Sequence, residues 1–223
     1  MFRILGLCVL ALIVMHIVSR CAIRYLSLGW TIEQVLTRFD LDRESSVGTW
    51  FSQGLLLLAA VIAAVIANQR HRDRAADRNY WVGLAVVFLY LSLDEAASIH
   101  EIAVAPVTRL LEIQNSFLVL AWIIPAAFLV LVFALVYLKF WWRLPADVRM
   151  RFALAGVTYV GGALLMESCT SAFAARYGVA HFGFMLVQAA EEGMEMVGVC
   201  MFIEALLLHA SRILPMSRIE IVR

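Results

Sequence analysis

Six long runs of apolar residues alternate with short polar segments along the chain. The runs cover about residues 4–25, 48–68, 80–104, 117–138, 152–175 and 183–210. Each run has about 20 residues or more, which is the length that an α-helix needs to cross a bilayer. The pattern predicts an all-α, polytopic integral membrane protein in which residues 1–223 form one bundle of about six transmembrane helices. The second and fourth runs are almost purely apolar, so we expect these two helices to face lipid widely.

The composition agrees with this class of protein. The chain is 63% hydrophobic and 16% charged, with a mean hydropathy of +0.87, whereas soluble domains are about half apolar and one quarter charged. These values exclude a disordered chain, a nucleic-acid-binding protein and an ordinary cytosolic enzyme. The four cysteines form no C-x-x-C pair, so no disulfide framework or structural zinc site is predicted.

The distribution of basic residues predicts the orientation. Arginine and lysine concentrate in the loop after the second run, the loop after the fourth run and the C-terminal tail. The positive-inside rule places these segments in the cytoplasm, so we expect a multi-pass protein of the cell inner membrane with both termini cytoplasmic. The segment 23–39 has the pattern of an amphipathic helix, which we expect to lie on the outer surface against membrane lipids.

Carboxylic acids lie inside the predicted spans, where they are costly. An ionised side chain at the centre of the bilayer costs about 2.5–3.5 kcal/mol. No lysine or arginine lies in the interiors of the three spans that carry the acids, so the acids must be protonated, bound to a cation or exposed to water. Eight of the seventeen acidic residues are of this kind: Asp94, Glu95, Glu101, Glu167, Glu191, Glu192, Glu195 and Glu204.

The acids of three spans reach a similar depth. At about 1.5 Å per residue, Asp94, Glu167 and Glu191 fall at one level in the outer half of the bilayer. His16 on the first span and Gln53 on the second reach nearly the same level. On the sixth span, Gln188, Glu191, Glu192 and Glu195 follow the spacing i, i+3, i+4 and i+7 of a single helical face. The third span carries Asp94, Ser98 and Glu101 on one stripe.

Such a cluster is typical of a metal site, because carboxylates and imidazoles bind Fe, Mn or Zn and a divalent ion would neutralise the negative charge. We expect metal ligands among Asp94, Glu101, Glu167, Glu191, Glu195 and His16. We expect acid or base groups among Glu95, Glu192 and His100. The paired Glu-x-x-His signature of ferritin-like bundles is absent, so the spacing does not assign the site to that class.

Three functions remain open on the sequence alone. A membrane-embedded metalloenzyme would act on a lipid-soluble substrate and needs a groove that opens laterally to lipid. A proton- or cation-coupled transporter or channel needs a polar path that continues to the cytoplasm. A non-catalytic subunit of a larger membrane complex, as a homo- or hetero-oligomer, would pair its carboxylates with hydroxyl groups to fix helix packing.

Overall fold

The computed structural model describes residues 2–100, 102, 106–107 and 120–214. These residues form α-helices with no strand in the described ranges, as the sequence predicts. The helices are α1 (Phe2–Tyr25), α2 (Trp30–Leu36), α3 (Val47–Arg72), α4 (Arg78–Ala97), α5 (Leu120–Arg143), α6 (Ala146–Val160), α7 (Glu167–Tyr177) and α8 (Phe182–Ile213). A π-helical turn, Gly161–Met166, joins α6 to α7 so that both belong to one span.

Six helical stretches in the described ranges are long and apolar enough to cross a membrane, which confirms the predicted polytopic bundle. The helix α5 has only 6% of its most apolar window buried, so it presents nearly all of its surface outward as expected. The second span faces outward less widely than predicted, because 44% of the corresponding window of α3 is buried, although Leu57, Val61 and Val65 remain exposed. The helix α3 packs along α4 and also contacts α8. Apolar composition alone did not distinguish a central helix from a peripheral one.

The core of the bundle lies between α3, α4, α6 and α8. Ala60 and Ala67 on α3 are buried where α3 meets α4, and small residues at such positions let membrane helices approach closely. Gly198 on α8 has the same role against α6, because a Cβ atom at this position would lie 2.6 Å from the backbone nitrogen of Tyr159. Small residues therefore set the separation of both helix pairs.

The helix α4 ends earlier than the predicted boundary at residue 104. Its last residue is Ala97, and Ser98 adopts a left-handed conformation with a φ angle of 48°. The Asp94 carboxylate accepts the backbone N–H of His100 at 2.8 Å, and this local hydrogen bond competes with continuation of the helix. The predicted helical stripe through Asp94, Ser98 and Glu101 is therefore interrupted, and Glu101 itself lies outside the described residues.

The predicted amphipathic segment 23–39 consists of several elements instead of one helix. Residues 23–25 complete α1, α2 covers Trp30–Leu36, and a 3₁₀ turn covers Thr37–Phe39. No residue of α2 is buried, and Trp30 is 74% exposed together with Ile32 and Val35. The short helix therefore presents apolar side chains outward, which fits the expected contact with a membrane surface.

Candidate functional site

The helix α8 carries three glutamates opposite Glu95 of α4. We use the term acidic cluster for Glu95, Glu191, Glu192 and Glu195, all of which are partly buried. The carboxyl groups of Glu95, Glu192 and Glu195 lie close enough to interact electrostatically. The Tyr159 hydroxyl of α6 also lies close enough to interact with their charges. The structure thus brings together acids that are about 100 positions apart in sequence.

Hydroxyl groups from neighbouring helices fix two members of the acidic cluster. The Ser52 hydroxyl of α3 lies beside the Glu95 carboxyl group and favours its charged form. The Thr170 hydroxyl of α7 donates to Oε2 of Glu191. These contacts position the carboxyl groups, but a hydroxyl group carries no charge that would balance them. Among the described residues, no lysine or arginine forms an ion pair with the acidic cluster.

A π-helical turn allows the close contact between the fifth span and α8. A Cβ atom at Gly162 would lie 2.7 Å from Cγ of Glu195 and 3.0 Å from the carbonyl oxygen of Glu191. Only glycine fits this space without displacing α8. Turns of this kind are often found at functional sites, and this one ends directly before Glu167.

Two of the predicted metal ligands are bound to neighbouring side chains at the edge of the acidic cluster. Oδ2 of Asp94 lies 3.0 Å from Nδ1 of His100. Oε1 of Glu167 accepts a hydrogen bond from Nε1 of Trp122 at 2.8 Å. The rings of His100 and Trp122 are also in contact, with their centroids 5.0 Å apart. Asp94, His100, Trp122 and Glu167 therefore form a connected group that links α4, α5 and α7.

His16 is fully buried in α1, and its described contacts are with the loop before α3. Its Nδ1 accepts the backbone N–H of Leu41 at 3.0 Å and lies 3.3 Å from Oδ1 of Asp40. Oδ2 of Asp40 also pairs with Arg20 at 2.9 Å. Burial raises the pKa of Asp40, but the neighbouring His16 imidazole and the charge of Arg20 outweigh this effect and hold the pKa below its usual value. His16 thus anchors the loop through Nδ1, while its Nε2 is buried and has no hydrogen-bond partner among the described residues.

Sequence reasoning missed the contribution of this loop to the site. The Gln188 side chain of α8 donates through Nε2 to Oδ1 of Asp42. Burial raises the pKa of Asp42, and although the Gln188 bond opposes this, the nearby charge of Asp40 adds to the increase. The Oε1 atom of Gln188 is buried and has no hydrogen-bond partner among the described residues. The Asp-x-Asp spacing at positions 40 and 42 was the available signal, but it lies outside the apolar runs.

In the part of the chain that the structure describes, no three His, Cys, Asp or Glu side chains are arranged so that they could hold a metal ion. The eighth acid within the predicted spans, Glu204, lies apart from the others and pairs with Arg151 at 2.7 Å. Its ion pair explains its place in α8 without a ligand.

The family model for a domain of unknown function, DUF8692, matches residues 3–210. The chain belongs to this family. The match covers all six membrane-spanning helices up to the last turn of α8. Comparison with curated proteins and with solved structures finds no match.

Proposed function

We propose that this protein is an integral inner-membrane protein whose acidic cluster binds a divalent metal ion. The observation that carries the proposal is the mutual interaction of Glu95, Glu192 and Glu195 without an ion pair to lysine or arginine among the described residues. Several carboxylates that are held together in an apolar bundle cannot all remain charged unless a cation lies among them. A divalent ion supplies that charge at one point.

The oxygen atoms around the acidic cluster favour Mn²⁺ over Fe or Zn. The carbonyl oxygen of the Gln188 side chain is buried without a donor among the described residues, and Gln188 lies on the same face of α8 as the glutamates. Amide and carboxylate oxygens suit hard ions such as Mn²⁺, whereas Zn and Fe bind imidazole more often. Nδ1 of His16 accepts from Leu41 and Nδ1 of His100 pairs with Asp94, whereas Nε2 of His16 is buried and has no hydrogen-bond partner among the described residues.

The proposed position of the ion differs from the position that the sequence predicted. We place it between Glu95, Glu192 and Glu195, with Gln188 as an additional oxygen ligand. Binding requires these side chains to turn toward one another, because they do not form a preorganised three-ligand group in the described structure. The hydrogen bond from Thr170 keeps Glu191 directed toward α7 and supports a position outside the ligand set.

If a metal ion binds at this position, the protein could be a membrane-embedded metalloenzyme. It would activate water or polarise a lipid-soluble substrate that enters from the outer leaflet. The pair of Asp94 and His100 lies next to the proposed ion site and has the chemistry of a proton donor and acceptor. These two residues are our candidates for acid–base catalysis. The basic loops support cytoplasmic termini.

Proton or cation coupling is the second candidate function. It is favoured by the proximity of Tyr159 to Glu195, because interacting carboxyl and hydroxyl groups can share protons. A transport path would have to continue along α8 beyond Glu195. The buried side chains between Glu195 and Glu204 are apolar or nearly so, namely Met196, Val199, Cys200 and Ile203, and the next buried polar side chain of α8 is His209. This apolar stretch in the described part of α8 makes metal binding the better supported function.

Metal analysis of the purified protein tests the proposal. We expect the protein in detergent to bind about one Mn²⁺ per chain, measured by inductively coupled plasma mass spectrometry and by electron paramagnetic resonance during titration. The double variant Glu192→Gln/Glu195→Gln should lose this binding. Glu204→Gln is the matched control, since it changes a glutamate of the same helix that pairs with Arg151, and it should bind as the wild type does.

Two results would refute the proposal. If wild-type and double-variant proteins elute as folded monodisperse species and neither binds Mn²⁺, Fe or Zn, the acidic cluster is not a metal site. If the double variant binds the metal as well as the wild type does, the ion lies elsewhere. In the first case, release or uptake of protons by the folded wild type on a pH step would favour the second candidate, and absence of such exchange would favour a packing role.

A further inference from the structure

A long groove runs along the outward face of α3 and α4, away from the acidic cluster. Its volume is about 500 Å³. The floor is made of small residues such as Ala60, Ala64 and Ala85, and larger side chains such as Leu57 and Val86 form the walls. The alanines leave a depression between two helices that otherwise pack closely. Its surface is almost entirely apolar except at one end.

The polar end of the groove carries positive charge. Arg78, His71 and Asn68 line this end, and Nη1 of Arg78 lies 2.9 Å from Nδ1 of His71. The other described hydrogen bond of Arg78 goes to the side-chain oxygen of Asn79, so its charge meets no carboxylate among the described residues. Asp77 does not fill this role, because it pairs with Arg70 at 2.7 Å. The guanidinium group of Arg78 therefore remains available to an anion.

The length of the groove fits one leaflet of a bilayer. From Leu57 to His71, α3 rises about 21 Å at 1.5 Å per residue. Half of the hydrocarbon core measures about 15 Å, so the groove extends from the middle of the membrane to the level of the headgroups. An acyl chain can follow the apolar part while its phosphate group reaches the polar end.

We propose that the groove between α3 and α4 is a binding site for one anionic phospholipid, with an acyl chain over the alanine floor and the phosphate at Arg78, His71 and Asn68. Arginine beside an apolar slot is complementary to such a lipid in both charge and shape. A second copy of the chain is a poorer occupant, because a symmetric contact would bring two arginine-rich ends together. The exposed Arg72 and Arg74 increase this repulsion and attract the same anionic lipid.

Native mass spectrometry of the delipidated full chain in detergent tests the site. The protein is titrated with phosphatidylglycerol and, separately, with phosphatidylcholine of the same acyl chains. We expect one tight phosphatidylglycerol adduct. Arg78→Gln should raise its Kd about fivefold, which is the effect of one basic side chain near an anionic lipid. Ala64→Phe should abolish the adduct, since Ala64 is exposed on the floor and a phenyl ring fills the groove without entering the core.

Matched variants on α5 separate this site from general lipid contact. Arg143→Gln removes an exposed arginine at the end of α5, and Ala127→Phe adds a ring to its outward face. Both should bind phosphatidylglycerol as the wild type does. Equal affinity for the two lipids, or equal effects of the α5 and groove variants, would overturn the proposal. A dimer that Ala64→Phe converts to a monomer, without a change in lipid binding, would also overturn it and identify a second copy as the occupant.

Discussion

Replacing Gly162 with alanine tests whether the close approach of the π-helical turn to α8 builds the acidic cluster. The added Cβ atom would lie 3.0 Å from the carbonyl oxygen of Glu191 and 3.1 Å from the backbone nitrogen of Glu195. Ordinary contacts of a Cβ atom begin at 3.4 Å, so α8 must move away by about 0.4 Å. Both neighbours are backbone atoms of a buried helix, and neither can move aside by rotating a side chain.

The expected cost follows from two opposing effects. Overpacking of a tight interior costs about 1–3 kcal/mol, and the loss of glycine flexibility in a helix returns about 0.5–1 kcal/mol. We therefore expect Gly162→Ala to lower the free energy of unfolding by about 1–2 kcal/mol. For a chain of this size, each kcal/mol shifts Tm by about 2–4 °C, so Tm should fall by about 4 °C.

The assay is thermal unfolding in detergent, followed by size-exclusion chromatography or intrinsic fluorescence. Gly54→Ala is the matched control, because Gly54 lies in the middle of α3 and a Cβ atom there would meet nothing within 4 Å. We expect this control to keep or raise Tm. If Gly162→Ala and Gly54→Ala have the same Tm, the turn does not approach α8 as closely as the structure shows, and the argument that glycine is required at position 162 fails.

Three further perturbations address the loop and the hydrogen bonds around the site. Arg20→Ala should cost about 2 kcal/mol in thermal unfolding, because it leaves the buried Asp40 carboxylate without its cationic partner. Thr170→Val should cost about 1 kcal/mol by removing the hydrogen bond to Glu191, and metal affinity should change less than in Glu192→Gln/Glu195→Gln. Asp77→Asn should make the acid dependence of stability less steep. Burial raises the pKa of Asp77, but its bonds with Arg70 and Trp81 hold the pKa below the usual 3.8, so its contribution is present at neutral pH and is lost as pH falls below that value.

Each of these predictions has a control in the same chain. Arg43→Ala removes an exposed arginine of the same loop and should change stability by no more than about 0.5 kcal/mol. Ser168→Ala removes a hydroxyl group of α7 that bonds only its own helix, at the carbonyl oxygen of Leu164. Asp73→Asn, in the same loop as Asp77, should leave the acid dependence close to that of the wild type. Equal effects in a variant and its control would contradict the contact on which that prediction rests.

The sequence determined the class of fold and the number of spans. Each span follows from the transfer of about 20 consecutive apolar residues into lipid, which is a local property of the chain. The sequence also placed Glu191, Glu192 and Glu195 on one face of α8, because helical periodicity fixes which neighbouring positions share a side. The glutamates were recognisable as a candidate site for the same local reason: their charge is out of place in an apolar run.

The arrangement of the spans was decided only in the tertiary structure. An apolar helix meets an apolar surface whether its neighbour is lipid or protein, so composition gave no information on which helices are central. For this reason α3 is more buried than the sequence predicted. The small residues at its contact with α4, such as Ala60 and Ala67, can be recognised as contact residues only when the opposing surface of α4 is known.

Tertiary contacts also decided the partners of the polar groups. The backbone of Leu41 and the carboxylate of Asp42 belong to a loop, yet they reach His16 and Gln188 across the fold. The early end of α4 depends on the Asp94 side chain bonding to the backbone of His100. The cost of burying a charge and the helical periodicity are local properties of the sequence. Hydrogen bonds between distant segments depend on how the helices and loops pack, so only the folded chain shows them.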